Sequence, residues 1–131
     1  MPEAPNDTLP IVVVGAHLSG LPLNHELTSN GAVFVREGRT AASYRLHALP
    51  TTPPKPGMLR AEGGAEIAVE VWALEPEGFG RFVAGIPAPL SIGTVTLADG
   101  TTPKGFLAEA EACVGAEDIT SYGGWRAYLA R

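Results

Sequence analysis

The residues best suited to chemistry lie in one stretch, VVVGAHLSGLPLN, residues 12–24. Three β-branched residues run into Gly15, and His17 follows, with Ser19 and Gly20 behind it. An imidazole donates or accepts a proton near neutral pH. A serine hydroxyl donates a hydrogen bond. Gly15 lets the backbone leave a strand with unusual dihedrals and Gly20 lets it return, so the N–H groups between them can form a concave anion site. The plainer alternative is a turn carrying an exposed histidine. Spacing alone favours that alternative, because short glycine loops are common.

Other candidates are weaker. His25 adjoins Asn24 and Glu26, and His47 lies in YRLHAL; both read as solvent-facing. Arg36, Arg39 and Arg45 flank two expected strands. A guanidinium can hold a carboxylate with two parallel bonds, although each arginine taken singly reads as surface charge. Lys55, set in PPKPG, is either a positioned cation or a solubilising one. Cys113 is the single cysteine and has no activating neighbour, so it reads as a small core residue. No HxxxH or CxxC spacing occurs, and no metal or other cofactor is expected. GxSxG is absent, which disfavours a serine hydrolase.

These side chains must be held by a small framework. Residues 1–10 read as a loose polar arm, and residues 11–131 as one domain. Ile11–Val14 reads as a buried central strand, and residues 21–29 as a short helix stopped by Asn30-Gly31. Strands are expected over 32–36 and 44–49, and a proline-rich loop over 50–57. A short strand is expected over 58–61. Residues 66–74, EIAVEVWAL, alternate as a strand. Pro76 opens a helix that ends near Gly85. Segments 92–97 and 105–110 flank Asp99-Gly100, a hairpin signal, and residues 108–112 can equally begin a helix. Thr120 or Ser121 is the expected cap of a closing helix with Trp125, Tyr128 and Leu129 on its apolar side. This order is α+β with a mixed or largely antiparallel sheet. The expected core includes Val12, Val14, Val69, Val71, Phe82, Val95 and Phe106.

Composition narrows the function classes. The chain has 131 residues, 45% hydrophobic and 18% charged, with a net charge of −5, which argues against a nucleic-acid partner. No apolar run reaches the roughly 20 residues of a membrane helix. The first ten residues lack the basic and apolar regions of a signal peptide, and one cysteine forms no internal disulfide. A cytoplasmic setting is expected.

Taken with other blocks, the opening stretch resembles the C-terminal domain of allophanate hydrolase. The blocks are GAHLSGLPLN (15–24), RTAASYRLHAL (39–49), PPKPGM (53–58), VEVWAL (69–74), FGRFVAGIPAPLSIGTVTLADG (79–100), KGFLAEA (104–110) and EDITSYGGWRAYL (117–129). The resemblance implies a γ-glutamylcyclotransferase-like architecture, a small mixed β-barrel with flanking short helices. It also implies decarboxylation of N-carboxycarbamate, with His17 as the catalytic residue. On that reading a protonated His17 donates its proton as CO2 leaves. The backbone at Gly15, Ala16, Leu18, Ser19 and Gly20 holds the remaining carboxylate, Arg39 or Arg45 offsets the substrate's charge, and Tyr44 orients it. No amidase domain is seen, so a separate amidase is expected to supply the substrate. The chain lacks the tyrosine-glycine-serine loop and catalytic glutamate of the cyclotransferases, so their activity is not expected. Two other readings stay open: a non-catalytic binder of small carboxylates, and a protein that docks on an amidase. Oligomeric state is also open, a homodimer included.

Overall fold

A computed structural model describes residue 5 and residues 7–131. Most of the arm expected over residues 1–10 thus lies outside the described residues. Strand β1 (Leu9–Val13) already starts at Leu9 and is central. It runs antiparallel to β5 (Ala68–Leu74), with Val12 opposite Val71. On its other side it runs parallel to β7 (Lys104–Ala108), with Val12 opposite Gly105. With β2 (Val33–Arg39) and β6 (Leu90–Thr94) at the edges, the order is β2-β5-β1-β7-β6. A second sheet has the order β4-β3-β8, from Lys55–Arg60, Tyr44–Leu49 and Glu117–Asp118. The two sheets meet where β4 lies against β7. Among the described residues four short helices flank them: α1 (Asn24–Thr28), α2 (Pro76–Ala84), α3 (Ala110–Cys113) and α4 (Trp125–Leu129). The fold is α+β, as expected, with a mixed five-stranded sheet and an antiparallel three-stranded one. No helix is long and apolar enough to cross a membrane among the described residues.

All seven expected core residues are buried, as is Cys113. Strand β5 is buried on both faces from Val69 to Leu74. Its alternation therefore does not separate a wet face from a dry one, and Glu70 is buried with Val69 and Val71.

Several boundaries differ from expectation for physical reasons. The proline-rich segment becomes strand at Lys55, not Met58. Pro56 is tolerated there because β4 is an edge strand and needs no donor on its outer side. The β6–β7 connection is longer than a two-residue turn. It keeps loose pairing through Val95 N–H to Pro103 O and Leu97 N–H to Thr101 O. Thr120 and Ser121 lie in a 3₁₀ turn and cap no helix; α4 starts after Gly124. The Thr120 hydroxyl instead accepts a bond from the N–H of Leu46, joining this turn to β3.

Candidate functional site

Strand β1 delivers the chain into the loop of residues 14–23. The loop folds on its own carbonyls: Gly15 O accepts from Leu18 N–H, Ala16 O from Leu23 N–H, and His17 O from the Asn24 amide. The opposite groups are left over. Among the described residues, the N–H groups of Gly15, Ala16 and His17 meet no acceptor. Gly15 is needed for proximity rather than for unusual dihedrals. A Cβ there would overlap Cδ of Pro56, so only glycine lets the loop close on β4. Gly20 does take the left-handed conformation, with φ +77°, and returns the chain as expected.

His17 is 5% exposed, not a turn histidine in solvent. Its ring stacks on Phe106 at 4.8 Å and meets the edge of Phe82 at 5.3 Å. Nε2 lies 2.8 Å from Oε1 of Glu26, on α1. A carboxylate accepts only, so the network assigns the Nε2 proton to that bond and leaves Nδ1 with its lone pair. Burial pushes the imidazole pKa below the ordinary 6.5. The Glu26 carboxylate pulls it back up in part, and the charges of Lys55 and His25 push it further down. The free protein therefore holds His17 neutral at pH 7.

The ring, the backbone of residues 14–16, Lys55 and Phe106 line a cavity of about 10 Å³. That is room for roughly one water molecule. The Lys55 side chain is buried within this wall.

The far side of the loop is held by a different cluster. Glu70 Oε1 accepts from Ser19 N–H at 2.9 Å, Ser19 Oγ at 3.0 Å and Trp72 Nε1 at 3.0 Å. Arg126 on α4 bridges Glu70 Oε2 at 3.1 Å and Ser19 O at 2.7 Å. Burial alone would raise the Glu70 pKa, but these donors outweigh it and hold the carboxyl below its usual range. The cluster faces a second cavity of about 310 Å³, lined by Leu18, Arg39, Glu70, Trp125 and Arg126 among others.

The structure thus sorts the expected site residues. Gly15, Ala16 and His17 come together at the small cavity. Leu18 and Arg39 face the larger one. Ser19 gives both its N–H and its hydroxyl to Glu70, so it has none to offer a ligand. Tyr44 is fully buried, its hydroxyl taking bonds from Arg60 and from Thr96 N–H, and it lines neither cavity. Arg45 pairs with Asp118 at 2.9 Å on the surface. Tyr44 and Arg45 are therefore not brought to the loop: one is needed to join two segments of the core, and the other faces away along β3. His47 is half-buried rather than free in solvent.

Sequence reasoning did not single out Glu26, Glu70 or Arg126. Glu70 alone carried a signal, as an acid inside the apolar run VEVWAL.

The sequence profile of the allophanate hydrolase C-terminal domain matches residues 9–130. The urea amidolyase of Lachancea kluyveri is 41% identical over 96% of this chain, which spans 7% of that enzyme. A Kluyveromyces lactis allophanate hydrolase structure matches with TM-score 0.90 and 38% identity, over 94% of this chain and 21% of its own. The structure of a uropathogenic E. coli-specific protein matches with TM-score 0.88 and 40% identity, over 95% of this chain and 97% of its own. The domain thus occurs both inside large enzymes and as nearly the whole of a solved chain. A γ-glutamyl cyclotransferase, 13% identical with TM-score 0.59 over 85% of this chain and 69% of its own, shares the fold alone. Profile, identity and structure agree that this chain belongs to the allophanate hydrolase C-terminal domain family.

Proposed function

We propose that this chain works in allophanate breakdown, decarboxylating N-carboxycarbamate that a separate amidase supplies in the cytoplasm. One observation carries the reading: His17 is fixed by Glu26 through Nε2 while its ring lines a cavity beside three unpaired backbone N–H groups. The occurrence of the domain in allophanate hydrolase and urea amidolyase supports it.

The substrate is a dianion, with two carboxylates on one nitrogen. Its entry beside a neutral imidazole raises that ring's proton affinity, and Nδ1 takes a proton from solvent. The N–H groups of residues 15–17 hold the carboxylate that stays. The C–N bond to the other carboxylate then breaks. Its electron pair remains on nitrogen, the Nδ1 proton moves to that nitrogen, and CO2 and carbamate leave. His17 returns to the neutral state, with Glu26 having steadied the imidazolium in between.

The test couples the protein to an amidase acting on allophanate and follows CO2 release above the uncatalysed background. His17→Ala and His17→Asn should keep the fold and lose about 10²–10⁴ in rate, the usual worth of a general acid. Variants that match the wild type above background would overturn the assignment.

A further inference from the structure

We propose that Lys55 is the anion-binding cation of the His17 cavity, holding one carboxylate of a small dicarboxylate beside the imidazole. The inference deepens the reading above by naming what the cavity recognises, and it rests on that cavity being the substrate site.

The first argument is charge. Lys55 is 9% exposed, and among the described residues its ammonium has no carboxylate or hydrogen-bond acceptor. Four arginines are ion-paired, Arg36 with Asp99, Arg45 with Asp118, Arg81 with Glu77 and Arg126 with Glu70, and Arg39, Arg60, Lys104 and Arg131, which make no ion pair, are exposed. The stem of Lys55 is enclosed while its ammonium keeps access to solvent, so the charge is held in place yet free to meet an anion. Among the described residues no carboxylate lines this cavity. Glu26 is engaged with the imidazole at Nε2. An incoming anion would be the missing counter-ion.

The second argument is position. Lys55 opens β4, paired with Leu49, and lies between Pro54 and Pro56. Two proline rings restrict the backbone on either side of it. The Pro56 ring rests on Gly15, which ties the lysine to the loop whose N–H groups are unpaired. Cation, amides and imidazole therefore converge on one small space. Room for roughly one water admits the end of a slim carboxylate and no bulky group.

The chemistry says which carboxylate Lys55 holds. A carboxylate that departs as CO2 loses its charge, so a cation bound to it would favour the ground state. Lys55 is useful on the carboxylate that keeps its charge, with the departing one left in apolar surroundings near Phe106.

Malonate has two carboxylates on one carbon, matches the proposed substrate in shape, and serves as the probe, with acetate for comparison. Its affinity is measured by calorimetry, and the His17 titration is followed by NMR. Wild-type protein should bind malonate more tightly than acetate. Lys55→Met should weaken malonate binding by about 10–100-fold with the melting temperature kept, as for loss of a charged hydrogen bond. Lys55→Arg should recover part of it. In the unmodified protein, malonate should raise the His17 pKa, since it offsets the Lys55 charge that depresses it alongside burial and His25, with Glu26 opposing. That second readout decides alone if Lys55→Met does not fold.

Malonate binding that Lys55→Met leaves intact, or that does not move the His17 titration, overturns the proposal; loss in Arg39→Met instead would assign the anion to the larger cavity. The two readings separate cleanly. Lys55-dependent malonate binding in a protein that releases no CO2 above background keeps this inference and removes the decarboxylation.

Discussion

At the scale of single residues, His17 shows how burial and pairing compete. The ring is enclosed by two phenylalanines, which penalise its charged form, while Glu26 at 2.8 Å favours it. Burial wins, so the folded pKa lies below 6.5. The sign for stability follows. Between the unfolded value and the lower folded one, the unfolded chain binds more protons than the folded one. The contribution is whole above about pH 6.5 and is lost as pH falls through the folded value. His17→Asn, which has no such titration, should flatten that part of the profile. Urea unfolding at pH 7 and pH 5 checks it: the wild type should lose more stability than the variant over that interval, and equal losses would contradict the burial argument. The residue scale also marks what the sequence made legible. Gly15, Ala16 and His17 stood out because a β-branched run, a glycine and an imidazole are adjacent in the chain. Glu26 did not, since nine positions separate it from His17 and only the folding back of α1 brings the two together. Ser19 was legible as a donor, but its acceptor, 51 residues away, was not, and the acceptor decides that it serves the loop rather than a ligand.

At the scale of elements, the site is a loop pinched from two sides. Strand β4 presses on its front through Pro56, and β5 with α4 grips its back through Glu70 and Arg126. The proline-rich segment was expected to be loop because prolines deny donors, and the edge position of β4 removes that objection. The same edge strand delivers Lys55. Glu70 escaped notice because period-two alternation assigns faces without saying whether both are covered. Both faces of β5 are covered, and an acid there must be saturated with donors. The front contact gives a sharp test. Gly15→Ala would place a methyl group in the Pro56 ring, where backbone and proline must part. Overpacking of this kind costs about 1–3 kcal/mol. The variant should unfold at lower urea and bind malonate more weakly, because the amides and Lys55 no longer converge. A variant with unchanged unfolding and unchanged malonate affinity would show that the loop does not depend on β4.

At the scale of the whole molecule, the succession of elements along the chain and the core were largely legible. Hydrophobic periodicity reports burial, and burial is what the two sheets exchange. The parallel β1–β7 pairing and the division into a five-stranded and a three-stranded sheet were not, since they depend on contacts between distant segments. The same architecture is shared with a γ-glutamyl cyclotransferase at 13% identity, and a shared fold does not carry an activity with it. Intramolecular attack of a γ-glutamyl amine on its own amide needs a base to take the amine proton, and an acid residue suits that task. Here the segment AGIPAPL, which follows the body of α2, holds no acid. The small cavity has a lysine and a neutral imidazole on its wall, and the nearest carboxylate, Glu26, is behind the ring. The protein should therefore release no 5-oxoproline from γ-glutamyl amino acids at enzymatic rates, which chromatography of a long incubation can establish. Steady 5-oxoproline production abolished by His17→Asn would show that the imidazole replaces the missing acid.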